Sequence, residues 1–482
     1  MSRADQLARN AAVAVIKRHW DSAIKSARSA LEIEPSSQTA AAMCFSAHWG
    51  AQQYDLGAEF ILEFINKYGA SQTTLQCAVA AMVSIDYPKQ HVSSWAARWL
   101  DALPDNDIRK AVRREGDRDL LVLDNGRLAD RSDRVGPPIA SFHGSISAAV
   151  KTMNRSHMNH RWAYPTYHVV RDIKVLPESW FVFDDHSVYF SETMSWPQIF
   201  RELTILREPM SHSIIVHSAS RSLVQAPRST EIVPGRCILL GCNPNFYYWL
   251  VNNVARLASI QADFDLKSAR FLIDEAMPDT HLQTLWQLGF SDQNLIRVPS
   301  SRVLMCEELI VPTMLASLDV VHPAAIQWLR SVLGPKSIDP NFPKRIFVSR
   351  SKPHRRKFAN EEDVFRALSQ IGFQKVTPDT LSFADQVNAF QNAEIVVSPF
   401  GTCLAGLIFA PPTCSTFEII DAKSVPMHRY MENIAIHLGQ RFQCVFPCRV
   451  RRPEGTASLA VYDFDVDPLE LECAIAKSAS GL

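Results

Sequence analysis

The sequence predicts an α/β protein, with two doubly wound sheet domains preceded by an all-α helical-repeat region. Three observations carry that expectation. A pattern of aromatic and small residues recurs near the N-terminus with a period of about 34 residues. From about Asp119, short apolar strands alternate with amphipathic helices. After a proline-punctuated stretch, Gly334 to Pro343, the alternation begins again. The implied divisions are a helical region at 1–115, a first α/β domain at 116–335, a second at 343–450, and a tail at 451–482 that packs back on the core.

The repeat region comes first. Trp20 and Tyr54, Ala23 and Gly57, and Ala30 and Phe64 keep one spacing, and Pro35, Gly69 and Pro104 close successive units. This resembles tetratricopeptide helix pairs. Small residues let paired helices approach closely, and stacked pairs make a concave docking surface. Further on, "LLVLD" and "WFVFDDHSVYF" read as strands with turns between them. "CILLG" is a buried strand, and Asn243 to Ile260 follows as an amphipathic helix. "ARFLIDE" and "EELIVPT" are strands, separated by "LQTLWQLGF", a helix stopped at Gly289, and "AAIQWLRSVLG" is a further helix. The second domain reads strand "RIFVSR", helix, strand "QKVTP", helix, strand "EIVVSP", helix, strand "TCSTFEII".

Composition narrows the function classes. The chain has 482 residues, 47% hydrophobic and 21% charged, as in ordinary globular proteins. Fifty basic residues balance fifty acidic ones, so no global field recruits nucleic acid. The ten cysteines are scattered and include no CxxC pair or zinc spacing. The first twenty residues hold an apolar run of only Ala11 to Val15, short for a signal peptide. No stretch approaches the roughly 18 apolar residues of a membrane span. The expected setting is a reducing cytoplasm, with peripheral association at the inner membrane or homodimerisation left open.

Chemistry concentrates in the second domain. Strand "RIFVSR" ends at Arg350, and Lys352, His354, Arg355, Arg356 and Lys357 follow before Asn360 and Glu361 open a helix. Ligands of doubly wound sheets sit at strand carboxyl ends. Cationic side chains there suit a diphosphate, because a guanidinium fork matches phosphate oxygens. Strand "EIVVSP" runs into Phe400, Gly401 and Thr402, a strand-to-helix turn whose backbone N–H groups would face an anion. Glu418 ends the next strand, where a carboxylate would bind ribose hydroxyls or cap the structure.

The ordered run Arg350, Arg356, Asn360-Glu361, Gly372-Phe373, Leu381-Ser382-Phe383, Gln386, Ala393, Ser398-Pro399-x-Gly401, Phe409, Glu418 resembles the C-terminal signature of glycosyltransferase family 61. "PESWFVFDDHSVYFSETMS", "NFYYWLVNNVARL", "LIVPT" and His322-Pro323 fall in matching order, so the resemblance covers about residues 175–420. The family includes plant xylan-decorating enzymes and animal enzymes that add N-acetylglucosamine to proteins. The resemblance implies a bacterial member with two Rossmann-like domains in a GT-B-like arrangement, performing inverting transfer from a nucleotide sugar. The donor, a UDP-sugar, would lie on Arg350, Arg355, Arg356, Asn360, Phe400, Gly401, Thr402 and Glu418. A glycan or protein acceptor would enter near Asn245, Tyr248, Trp249, Asn252 and Arg256, and the helical repeats would hold a protein partner.

Three positions depart from the family pattern: Tyr248 where His is usual, Asn252 where a carboxylate is usual, and Phe400 where His is frequent. Inversion needs a base for the acceptor hydroxyl, and a free phenol titrates near ~10. The base candidates are therefore Asp184, Asp185, His186, Glu192, Asp274 and Glu275, with Asp274 and Glu275 at a strand's carboxyl end placed first and Asp185 after them. "DFDVD" at 463–467 and "DFD" at 263–265 read as solvated turns, so no cofactor and no obligatory metal is expected. Loss of catalysis would leave a scaffold acting through its helices. No GxxxxGK[ST] loop or strand-following GxGxxG supports a kinase or dinucleotide enzyme.

Overall fold

The computed structural model describes residues 2–68, 74, 77–78, 118–135, 166–177, 179–190, 214–217, 220–317, 320–335, 339–351, 356–424, 430–452 and 462–480. Four helices open it: α1 (Arg3–Ile16), α2 (Trp20–Ile33), α3 (Gln38–Gly50) and α4 (Tyr54–Tyr68). Ser2 and Asp5 form a reciprocal capping box at the start of α1. Buried alanines line one face of α1, and they meet α2 and α3 in three tiers. The tiers are Ala8/Ala30/Ala40, Ala11/Ala27/Cys44 and Ala14/Ala23/Ala47. Without bulk at these positions the helices pack closely, and Trp20 covers Gly50, where a Cβ would run into its ring. The third expected repeat unit, ending at Pro104, lies outside the described residues.

An 11-stranded sheet follows. Its strands are β1 (Arg118–Arg127), β2 (Arg134–Val135), β3 (Tyr167–Leu176), β4 (Phe181–Phe183), β5 (Ser187–Phe190), β6 (Ile214–His217), β7 (Arg221–Pro227), β8 (Thr230–Leu239), β9 (Phe271–Asp274), β10 (Leu295–Val298) and β11 (Val303–Pro312). The order is β10-β9-β8-β11-β3-β4-β5-β1-β7-β6, with β2 on β3. The expected parallel pairing holds for β8 to β11. Upstream, every described pairing but β1–β5 is antiparallel. The reason lies in the connections. β4 and β5 are joined by Asp184 to His186 alone, and Asp184 closes that hairpin by accepting from His186 N and Ser187 N at 2.8 and 2.9 Å. A parallel crossover needs about a dozen residues.

A small hairpin, β12 (Ala316–Ser317) with β13 (Val320–Val321), leads to helix Pro323–Leu333. The second sheet is wholly parallel: β14 (Arg345–Val348), β15 (Gln374–Val376), β16 (Ile395–Pro399), β17 (Ser415–Ile419) and β18 (Arg441–Val445), ordered β15-β14-β16-β17-β18. The chain steps outward from β14 to β15, then returns across β14 to β16. That reversal makes the carboxyl ends of β14 and β16 a topological switch point, where open parallel sheets commonly bind ligands. A ribbon, β19 (Arg449–Arg451) with β20 (Asp463–Asp465), precedes the last helix, Pro468–Ser480, whose Leu471 and Ile475 pack with Phe347 and Phe358 under the second sheet.

One apolar core joins the two sheets. Trp249, Leu250 and Phe271 from the first side pack in the same cluster as Phe383, Phe390, Phe400, Leu404 and Met431 from the second. Arg330 adds a polar tie, donating to the Ala410 carbonyl at 2.8 Å and to that of Ile408. Gly406 lies against Phe390 so tightly that a Cβ there would overlap the ring.

Candidate active site

At the switch point, Arg350 follows β14 and its buried side chain donates from Nη2 to the Arg356 carbonyl. Burial lowers its pKa. Arg356 holds the left-handed backbone conformation, φ 56°, which this bond helps to fix. Its guanidinium carbon sits 4.6 Å from the centroid of the Phe400 ring, a cation–π contact worth about 1–2 kcal/mol when desolvated. Its Nη2 lies 3.9 Å from where a Cβ on Gly401 would project. Its Nε is buried without a hydrogen-bond partner. Phe400 is itself buried and anchors the turn through Phe400 N to Ile419 O, 2.8 Å. Thr402, half-buried, opens the 3-10 helix Thr402–Ile408.

Glu418 completes this constellation from β17. It is 2% exposed, and its Oε1 has no hydrogen-bond partner. Burial pushes its pKa up to about 8; Arg356 opposes the rise and Glu432 adds to it. A buried carboxyl oxygen without a donor is costly, and a hydroxyl or N–H group at Glu418 Oε1 would relieve that cost. Tyr430 opens helix Tyr430–Leu438, 5.8 Å from the Phe400 ring and 4.9 Å from that of Tyr247. Burial first, then Tyr248 and Glu418, push its phenol well above 10. Cys403 Sγ lies 3.6 Å from Ser398 Oγ; burial raises its pKa, and Arg350 and Arg356 pull it back. Tyr462, buried, accepts from Asp421 N at 3.2 Å, beside the ion pair of Asp421 with Arg452.

From the first sheet, Asn245 caps a helical segment, accepting from Tyr247 N at 3.1 Å and Tyr248 N at 3.4 Å. This cap aims Tyr247 and Tyr248 at Tyr430, so the segment borders the same pocket. The next turn, Trp249–Val254, is π-helical, a rare form that often marks functional sites. Trp249 is fully buried, donates Nε1 to Thr284 Oγ1 at 2.8 Å and stacks on His281. Asn252 is half-buried, and its Oδ1 lacks a partner. Arg256 is buried and donates to the carbonyls of Asn252, at 2.8 Å, and Leu239. Burial takes its pKa down to about 10. Trp249 and Arg256 thus lock the segment to the first sheet.

The carboxylates singled out in the sequence have local partners of their own. Asp274 ends β9 and accepts from Ala276 N at 2.7 Å. Glu275 is exposed, and its N–H donates to Val298 O. Asp185 is exposed and paired with Lys174. Asp184 accepts from Tyr189 OH at 2.7 Å, and His186 is exposed. No described hydrogen bond or ion pair carries Asp274, Glu275 or Asp185 to Arg356 or Glu418. Asn360 directs its amide to the backbone of Val466. Arg355 and Glu192 lie outside the described residues, as do Lys352 and His354. Tyr430, Cys403 and Tyr462 escaped the sequence reading; position just after β17 was the only available signal, for Tyr430. Among the described residues, no group of three His, Cys, Asp or Glu side chains could hold a metal ion.

The family model described as Glycosyltransferase 61 matches residues 246–417. Over this stretch, about a third of the chain, the sequence is similar to glycosyltransferase family 61. The match begins at Phe246, one residue after the Asn245 cap, and ends at Phe417, one residue before Glu418. Proteins of that family are glycosyltransferases, so the likeness points to transfer of a sugar. No curated protein matches the chain. Among the described residues, no helix is long and apolar enough to cross a membrane.

Proposed function

We propose that the chain is an inverting, metal-independent glycosyltransferase that moves a sugar from a UDP-sugar to a polysaccharide or protein acceptor. The supporting observation is a neighbouring pair of atoms without hydrogen-bond partners, Nε of Arg356, whose guanidinium lies over the Phe400 ring, and Oε1 of the buried Glu418. In this reading Arg356 and the Gly401–Thr402 turn face the diphosphate, Arg350 adds charge and shapes the turn, and Glu418 receives ribose hydroxyls. A fixed cation neutralises the departing diphosphate as a divalent metal otherwise would. The acceptor approaches over Tyr248 and Asn252. The arrangement is GT-B-like, with the second sheet as the donor side and the first as the acceptor side.

Helices α1–α4 act, in the same reading, as tetratricopeptide-like repeats that hold a protein partner, and the enzyme works in the cytoplasm, at or near the membrane surface. The base that takes the acceptor proton is one of Asp274, Glu275 and Asp185, or a group that the acceptor itself supplies. A second reading, a scaffold without turnover, draws on Tyr248, Asn252 and Phe400. A thermal-shift panel of nucleotides and nucleotide sugars, followed by donor hydrolysis, separates them. A UDP-specific rise in melting temperature with hydrolysis supports transfer; binding without hydrolysis or transfer supports the scaffold; no shift with any nucleotide defeats both donor-site roles.

A further inference from the structure

We infer that the C-terminal segment Tyr462–Val466 is part of the donor site, a strap that positions Arg356. This rests on the reading of Arg356 as the diphosphate-binding cation. The segment lies beyond the family-matched stretch, which ends at residue 417, so nothing in that match assigns it a role.

The geometry is a backbone splice placed directly after Arg356. Phe464 N donates to Lys357 O at 3.0 Å, and Ala359 N donates to Phe464 O at 2.8 Å, forming a parallel bridge between Phe358 and Phe464. Lys357 N donates to Asp463 Oδ1 at 3.1 Å. Asn360 then grips the strap from both sides: its Nδ2 donates to Val466 O at 2.8 Å, and its Oδ1 accepts from Val466 N at 3.0 Å. The Phe358 and Phe464 rings stack at 4.7 Å beneath this splice. Every residue from Lys357 to Asn360 is therefore tied to the tail.

Arg356 stands at the free edge of that splice. Its left-handed backbone is costly for a residue with a side chain. Two things hold it there: the Arg350 bond to its carbonyl, and the fixed chain that follows. Tyr462 reaches the same pocket, with its hydroxyl on Asp421 N and its ring under Arg452. Both Arg350 and Arg356 lie within electrostatic range of it. The strap thus sets where the guanidinium sits over Phe400, and Asn360 and Tyr462 are positioning residues.

Coupling of this kind is reciprocal: a ligand that fixes Arg356 must also fix the strap. The test combines UDP calorimetry with amide hydrogen exchange of the full chain. In the wild type, UDP slows exchange at Phe464, Val466 and Ala359, and Arg356→Ala abolishes that slowing. Asn360→Ala weakens UDP on the order of tenfold, the effect of losing a bond pair of this strength. Tyr462→Phe keeps the ring packing, guards against misfolding of the first variant, and weakens UDP severalfold. Undiminished UDP affinity in folded Asn360→Ala and Tyr462→Phe, or UDP binding through Arg356 without slower exchange in the strap, overturns the inference while leaving the donor site intact. UDP binding that ignores Arg356→Ala instead removes the donor-site reading, and the strap's role with it.

Discussion

Glu418→Gln probes the least compensated atom of the site. The carboxyl is buried, and its pKa stands near 8 rather than 4.5. At about 1.4 kcal/mol per tenfold, ionising it in place costs up to about 5 kcal/mol. Because the folded pKa is the higher one, this contribution to stability is fully present below pH 4.5 and is lost as pH rises through about 8. Glutamine has no proton to lose, so the variant is flat across that window. Melting temperatures of both proteins, measured without ligand from about pH 4.5 to about pH 9, should diverge, the wild type falling relative to the variant by on the order of 10 °C. Affinity for UDP should fall in the variant: ribose hydroxyls that donate to Glu418 favour its carboxylate, which accepts on two oxygens where glutamine accepts on one, so the variant binds on the order of tenfold more weakly. Parallel melting curves across the whole window would refute the claim that burial holds this carboxyl uncharged in the ligand-free protein.

Other expectations follow from single contacts. Gly406→Ala places a methyl where Phe390 already stands and should destabilise by about 1–3 kcal/mol, read as a lower melting temperature. Trp249→Phe keeps most of the packing but removes the donor to Thr284, costing about 1 kcal/mol in chemical denaturation. Arg350→Lys keeps a charge yet cannot reproduce the guanidinium's bond to the Arg356 carbonyl together with its other contacts, so UDP calorimetry should show most of the loss seen with Arg350→Ala.

Strands β14 to β17 of the second sheet were readable because they alternate with helices that carry a cap or a glycine stop, whereas β18, RFQCV, was not read as a strand. Ser382 accepting from Asp385 N and Gly372 at φ 86° are the physical counterparts of those signals. The pairing of the first sheet was less legible. Strands β3 to β5 have the same apolar character as parallel strands, and only the short span from Asp184 to His186 reveals an antiparallel hairpin. Within the site, Arg350 and Arg356 stood out as charges, but the division of labour between them did not. A side chain bound to a backbone carbonyl leaves no mark in the sequence. The same holds for Asn360, whose partner Val466 lies 106 residues away. The raised pKa of Glu418 comes from burial and Glu432, set against Arg356; these groups lie on separate elements, and no local pattern encodes the result.

The central claim is that the Arg356 guanidinium grips the donor's diphosphate. Calorimetric titration of UDP and of inorganic pyrophosphate into wild type and Arg356→Ala tests it most directly. Both ligands should bind the wild type, and both should lose on the order of a hundredfold in affinity in the variant, measured at a temperature where it is fully folded. Equal binding of either ligand to the two proteins, or none to the wild type, would contradict it.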